Sequence, residues 1–165
     1  MNYSIEKMQP MDWGQVADIY LSGIKTGVAT LQSKVPNWEE WSKEHSEACR
    51  YVARSGDTIL GWTALTPVSG RCVYAGVAEV SIYINEDFRN KGVGTALLTE
   101  LIRGSEAAGY WTLQASINQK NTPSQGLFMK CGFREIGIRE KIGQTPDGKW
   151  QDIILVEKRS RTVGI

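Results

Sequence analysis

Arg89-Asn90-Lys91-Gly92-Val93-Gly94-Thr95-Ala96 stands between the two most regular segments of the sequence. Before it, Ala78–Ile84 alternates as a strand does: Ala78, Val80, Ile82 and Ile84 share one face, and Glu79, Ser81 and Tyr83 the other. After it, residues 93–108 read as an amphipathic helix with Val93, Leu97, Leu101 and Ala108 in one stripe, ended by Gly109. A helix N-terminus leaves about four backbone N–H groups without partners, and its dipole favours an anion there. Glycines at 92 and 94 let those groups approach a phosphate and permit positive φ, while Arg89 and Lys91 add charge at the rim. The stretch lacks the Gly-Lys-Ser/Thr ending of a P-loop and the spacing of a dinucleotide fingerprint. Its letters alone leave two readings: a phosphate-binding loop, or a glycine-rich turn that carries two cations.

Working outward, residues 3–8 alternate as a first strand, and Asp12 is positioned to cap a helix with Val16, Ile19 and Tyr20 at helical spacing. Thr26–Leu31 has no clear period and reads as a loop, and Pro36-Asn37 opens a second helix. Tyr51–Arg54 and Thr58–Thr66 form a hairpin about Ser55-Gly56-Asp57. A strand at 111–117, a short helix at 122–131 and strands near 133–142 and 150–157 follow. The order predicts a mixed α/β (α+β) fold in a single domain spanning 1–165.

With 165 residues the chain suffices for one well-buried core. A formal net charge of +1, with both signs interspersed, argues against a nucleic-acid binder. Apolar runs fall far short of the roughly 20 residues that cross a bilayer, and the first residues lack a signal peptide's apolar core. Cys49, Cys72 and Cys131 lie far apart with no Cys-x-x-Cys, and His45 is the only histidine. No metal site is expected, and reduced thiols in the cytoplasm are. His45, among Glu44, Ser46 and Glu47, reads as a solvated histidine.

Arg89-x-x-Gly92-x-Gly94 after the fourth strand resembles the Arg/Gln-x-x-Gly-x-Gly/Ala signature of the GNAT superfamily of N-acetyltransferases. Asn121-x-x-Ser124 followed by Cys131-Gly132-Phe133 is similar to that family's helix leading into a Gly-Phe strand. Three further segments resemble the phosphinothricin and methionine sulfoximine acetyltransferase branch: Gly27–Thr30, Tyr74–Ile84 and Gly148–Asp152. The resemblance covers nearly the whole chain. It implies a central mixed, mainly antiparallel sheet of about seven strands flanked by about four helices, and acetyl-CoA as co-substrate without a metal. It further implies that the backbone of Ile82, Tyr83 and Ile84 takes the pantetheine arm as another strand. Arg89, Asn90, Lys91, Gly92, Val93, Gly94 and Thr95 would hold the pyrophosphate, with Asn121 and Ser124 near the thioester.

An amine must lose its proton before it attacks a thioester, so the site needs a proton acceptor. Glu79, a carboxylate in an otherwise apolar strand, is the candidate: burial would raise it above the reference of about 4.3, and in the resembling branch this position is the base. Pairing with a neighbouring arginine is the plainer alternative. Where many relatives carry a tyrosine or histidine that protonates the departing thiolate, this sequence has Phe128. Arg71 matches a loop arginine suited to a two-pronged grip on an acceptor carboxylate, and Tyr74, Trp62 and Trp150 could wall the same pocket. Thr30 and Leu31 fall in the relatives' acceptor loop, but Leu31-Gln32 departs from their Phe-Glu and leaves the acceptor open.

The function implied is therefore acetylation of the amine of a small amino acid or toxic analogue, in a homodimer. The alternatives are another amine (an aminoglycoside, a polyamine or a protein N-terminus) or a weakly catalytic acyl-CoA sensor, which the missing donor at 128 would suit.

Overall fold

The computed structural model describes residues 1–165 as one seven-stranded sheet with helices on both faces. Strands β1 (Ser4–Lys7), β2 (Arg50–Ser55), β3 (Thr58–Pro67) and β4 (Val77–Ile84) form an antiparallel run. Strands β5 (Thr112–Asn118), β6 (Arg134–Gln144) and β7 (Trp150–Arg159) form a second, in the spatial order β5-β7-β6. The two runs meet only through a short parallel pairing of β4 with β5. Helices α1 (Trp13–Lys25) and α2 (Trp38–Glu44) cover one face; α3 (Val93–Ala107) and α4 (Thr122–Lys130) cover the other. No helix is long and apolar enough to cross a membrane.

Each face has its own core. Leu97, Leu98 and Leu101 of α3 pack on Leu60, Ala78, Val80, Leu113 and Val156, so the alternation of β4 sends its even-numbered side chains to this side. On the opposite face Val16, Ile19 and Trp41 meet Val52, Trp62 and Ala64. Here Trp62 packs against Tyr20 and Tyr83, with ring centroids 5.6 and 4.9 Å away. The Arg50 guanidinium lies over Trp38 and Trp41 and donates to the carbonyls of Ser42, His45 and Ser46, binding α2 to β2.

Several local expectations change. Asp12 precedes α1 but makes no side-chain cap; its carboxylate accepts from Gln9 N–H at 2.8 Å and pairs with Arg54 at 2.6 Å. Asn37 caps α2, accepting from Glu40 N–H at 2.9 Å. His45 is not solvated: it is half-buried, stacks on Trp41 at 4.1 Å and shares a hydrogen bond with the Trp41 carbonyl. Burial pushes its imidazole below the ordinary histidine range, which favours the neutral form. Ala108 is exposed, and the buried stripe of α3 ends on Gly104 and Ser105 instead.

Two glycines predict opposite outcomes. A Cβ on Gly61 would lie 2.8 Å from Ile84 Cδ1 and 2.9 Å from the Tyr83 carbonyl, so Gly61→Ala should destabilise the fold by about 1–3 kcal/mol. Gly126 is exposed within α4 with nothing near its Cβ position, so Gly126→Ala should stabilise by up to about 1 kcal/mol. Denaturant unfolding of the two variants reads both signs.

Candidate active site

Val77, Ala78 and Glu79 pair with Thr112, Leu113 and Gln114, and there the β4–β5 ladder ends. Past Glu79 the strands part, so the edge of Val80–Ile84 that faces β5 has no strand beside it. The gap is a cleft of about 560 Å³ that runs through the sheet, lined by β4 from Glu79 to Tyr83 and β5 from Ala115 to Asn118. An unpaired strand edge offers N–H and C=O groups at fixed intervals to an extended ligand carrying amides of its own.

Beyond the end of β4, none of the backbone N–H groups from Asn90 through Thr95 donates to a backbone acceptor. Asn90 (φ 60°) and Gly92 (φ 83°) are left-handed, the kind of backbone that in other proteins forms hollows for anions, and they lie just before the N-terminus of α3. The two glycines do different work. Gly92 supplies the positive φ; Gly94 is helical, and its missing Cβ lets Leu127 of α4 approach, at 3.1 Å from the Cβ position. Lys91 donates to the Asp87 carbonyl at 2.9 Å and lies over the Phe88 ring, whereas Arg89 enters no ion pair. Unpaired donors, a helix N-terminus and an open strand edge together fit a pyrophosphate with a pantetheine arm.

Asn121 and Ser124 line the cleft from α4. The Asn121 carbonyl oxygen caps that helix, accepting from Ser124 N–H at 3.3 Å, so its amide NH₂ is the group left for a ligand. Phe128 is core: it is 2% exposed and packs edge-on against Phe133 at 4.9 Å. It reaches the cleft wall yet has no proton to give.

On the opposite side of the sheet, Glu79 and Tyr83 line the cleft together with Thr30 and Leu31 from the loop after α1. Glu79 is half-buried and forms no ion pair, so the alternative of a glutamate paired with an arginine does not hold. The Tyr83 ring packs against those of Tyr20 and Trp62, each 4.9 Å away. Burial, reinforced by the Tyr20 phenol, pushes its own phenol well above the ordinary tyrosine range. Thr30 Oγ1 accepts from Gln32 N–H at 3.0 Å, which tightens the loop, and Leu31 rests on Gly143 of β6.

Arg71 and Tyr74 do not join this group. Both are exposed in the turn before β4, the guanidinium 5.7 Å from the Tyr74 ring centroid, and neither lines the cleft. Trp62 is buried core and Trp150 is exposed, so neither walls the pocket. Arg139 and Ile142 of β6 do line it, and no local pattern announces them. They flank an irregularity where the pairing jumps from Arg139↔Ile153 to Gly143↔Gln151.

The sequence matches the acetyltransferase (GNAT) family over residues 15–133. YwnH of Bacillus subtilis, which carries a provisional phosphinothricin acetyltransferase name, is 37% identical over 88% of this chain and 91% of its own. Phosphinothricin N-acetyltransferase of Alcaligenes faecalis is 30% identical over 89% of this chain and 77% of its own. The phosphinothricin acetyltransferase of Sinorhizobium meliloti, solved in complex with acetyl-CoA, shares the fold: TM-score 0.84 at 24% identity, over 99% of this chain and 96% of that one. The open edge of β4 and the unpaired donors at the start of α3 thus fall inside a matched region that runs from Gln15 to Phe133, and the chain belongs to the GNAT family of N-acetyltransferases.

Proposed function

We propose that the protein transfers the acetyl group of acetyl-CoA to the α-amine of a small amino acid or amino-acid analogue of the phosphinothricin or methionine sulfoximine type. One observation carries the reading: the cleft has the lone carboxylate of Glu79 beside the end of the β4–β5 ladder, on the side of the sheet away from α3. An amine entering from the α1 side meets that carboxylate, while the coenzyme arm enters from the α3 side. The names of the relatives from Alcaligenes faecalis and Bacillus subtilis support the choice of acceptor.

In this reading the coenzyme supplies an activated acetyl thioester, and the protein supplies alignment and one proton acceptor. The backbone of Ile82, Tyr83 and Ile84 bonds the pantetheine amides. The N–H groups of residues 90–95 take the pyrophosphate, with Arg89 and Lys91 adding positive charge. The Asn121 amide and Ser124 bound the thioester end. Glu79 takes the proton that the ammonium must lose, directly or through water. Phe128 cannot protonate the thiolate, which leaves either as the anion or with help from a cleft hydroxyl such as Ser124. Thr30 and Leu31 wall the acceptor. The whole of 1–165 acts as a single domain, in the cytoplasm, where three free thiols stay reduced, and as a homodimer.

Glu79→Gln should lower kcat by about 10²–10⁴-fold with little change in the KM for acetyl-CoA. The gap should narrow as pH rises toward the acceptor amine's own pKa, where the amine no longer needs a base. Free-thiol release across a panel of amino acids and analogues measures this, and full turnover by Glu79→Gln would remove it from the role. Gly92→Ala imposes a left-handed φ on a residue with a Cβ, at about 1–2 kcal/mol. Calorimetric titration should accordingly find weaker acetyl-CoA binding by Gly92→Ala, with a thermal midpoint only a few degrees lower.

A further inference from the structure

The cleft is lined by a single cation, Arg139, and by a single anion, Glu79. Strand register puts both on the same face. Glu79 stands opposite Gln114, Asn118 opposite Ile153, and Ile153 opposite Arg139, and paired residues share a side of the sheet. That side is the one away from α3, because Leu113, Ala115 and Ile117, which alternate with Gln114 and Asn118, pack into the α3 core. Arg139 therefore faces the acceptor's side of the cleft, across the sheet from the start of α3. Its side chain makes no ion pair or hydrogen bond within the protein.

Its position is built rather than incidental. Between Arg139 and Gly143, strand β6 has three residues (Glu140, Lys141 and Ile142) where β7 has only Asp152. The Asp152 carboxylate accepts the Lys141 N–H at 2.8 Å, and Lys141 is left-handed, with φ 47°. A non-glycine residue in that conformation persists only where its surroundings hold it. The bulge brings both Arg139 and Ile142 to the cleft wall, and Leu31 rests on the adjacent Gly143.

Magnitudes decide which part of an acceptor Arg139 can touch. From the level of Glu79 and Gln114 to that of Asn118 is four residues, about 13 Å along the strand, and from β4 to β6 is three strand spacings, about 14 Å. An α-carboxylate is only two bonds from its amine, so an acceptor whose amine is at Glu79 reaches Arg139 with the far end of its side chain. We propose that Arg139 is a specificity residue that binds an oxygen-rich terminal group (phosphinate, carboxylate or sulfonyl) on the side chain of the acceptor. The guanidinium fork matches two oxygens of such a group, and Ile142 packs on the chain that carries it. This rests on the amino-acid reading above and narrows it to acceptors with a polar, oxygen-bearing end.

The test compares phosphinothricin and L-methionine sulfone with L-methionine, of similar length without the terminal oxygens. Thiol release with saturating acetyl-CoA is measured for the unsubstituted protein, Arg139→Gln, Arg139→Lys and Arg71→Gln. The unsubstituted protein should favour the oxygen-bearing acceptors in kcat/KM. Arg139→Gln should remove about 10- to 100-fold of that preference through KM, leaving L-methionine turnover and the KM for acetyl-CoA unchanged. Arg139→Lys should restore part of it, and Arg71→Gln should leave it intact. Three outcomes overturn the assignment: no preference in the unsubstituted protein, an equal loss on all three acceptors in Arg139→Gln, or loss of the preference in Arg71→Gln alone. If no amino acid is acetylated while another amine is, the amino-acid reading fails, and this assignment falls with it.

Discussion

Two strands that begin as neighbours and then part company govern this molecule. β4 and β5 share three residue pairs, enough to join the two antiparallel runs into one sheet, and then leave backbone groups from Val80 to Ile84 without a strand to bond. In an ordinary sheet such a gap would close, because buried N–H and C=O groups without partners are expensive. Here it is held open from both sides. Leu97 and Leu101 of α3 pack beneath β4, and Phe128 of α4 packs beneath β5 with Phe133 against it. Each helix follows its strand with a short connection, so the wedge between strands is matched by a wedge between helices, and Leu127 over Gly94 is where those helices touch.

The wedge divides the labour of the site by face. Everything suited to a long, phosphorylated coenzyme arm lies along β4, at the start of α3 and on α4, anchored in the larger core. Everything suited to a small acceptor lies on the other side, on the loop after α1, on the outward side chains of β4 and on β6. Glu79 is one residue beyond the start of β4's buried run, where strand pairing ends and both faces are within reach. That position follows from the odd-numbered alternation of the strand, since one residue earlier or later the carboxylate would point into the leucines of α3.

Local patterns carried most of the fold. The alternation of 78–84, the period of the helix after it and the turn at Ser55-Gly56-Asp57 are each set by neighbours in sequence, and each is found where those patterns put it. The glycine loop was legible for the same reason, although only coordinates separate Gly92, which needs its φ, from Gly94, which makes room for Leu127. What escaped depends on residues far apart in the chain. His45 looks solvated among polar neighbours but lies against Trp41, one helical turn back and itself pinned by Trp62. Arg71 looked like the acceptor's arginine because of its position before β4, yet it turns outward over Tyr74. The bulge that presents Arg139 exists because an aspartate thirteen positions from it accepts one N–H, and nothing in Glu140-Lys141-Ile142 signals it.

The contact of Leu31 with Gly143 bears on tolerance to substitution rather than on mechanism. It is the meeting point of the half-buried loop after α1 and the largely exposed edge strand β6, both of which stand outside the two hydrophobic cores. Substitutions there cost little stability, because exposed side chains away from the core rarely move it by more than about half a kcal/mol. The coenzyme half, by contrast, is interlocked with Leu97, Leu127 and Phe128 and resists change. The acceptor side of the cleft can thus be rewritten residue by residue at little cost to the fold, whereas a change on the side that α3 and α4 cover must be accommodated by the core.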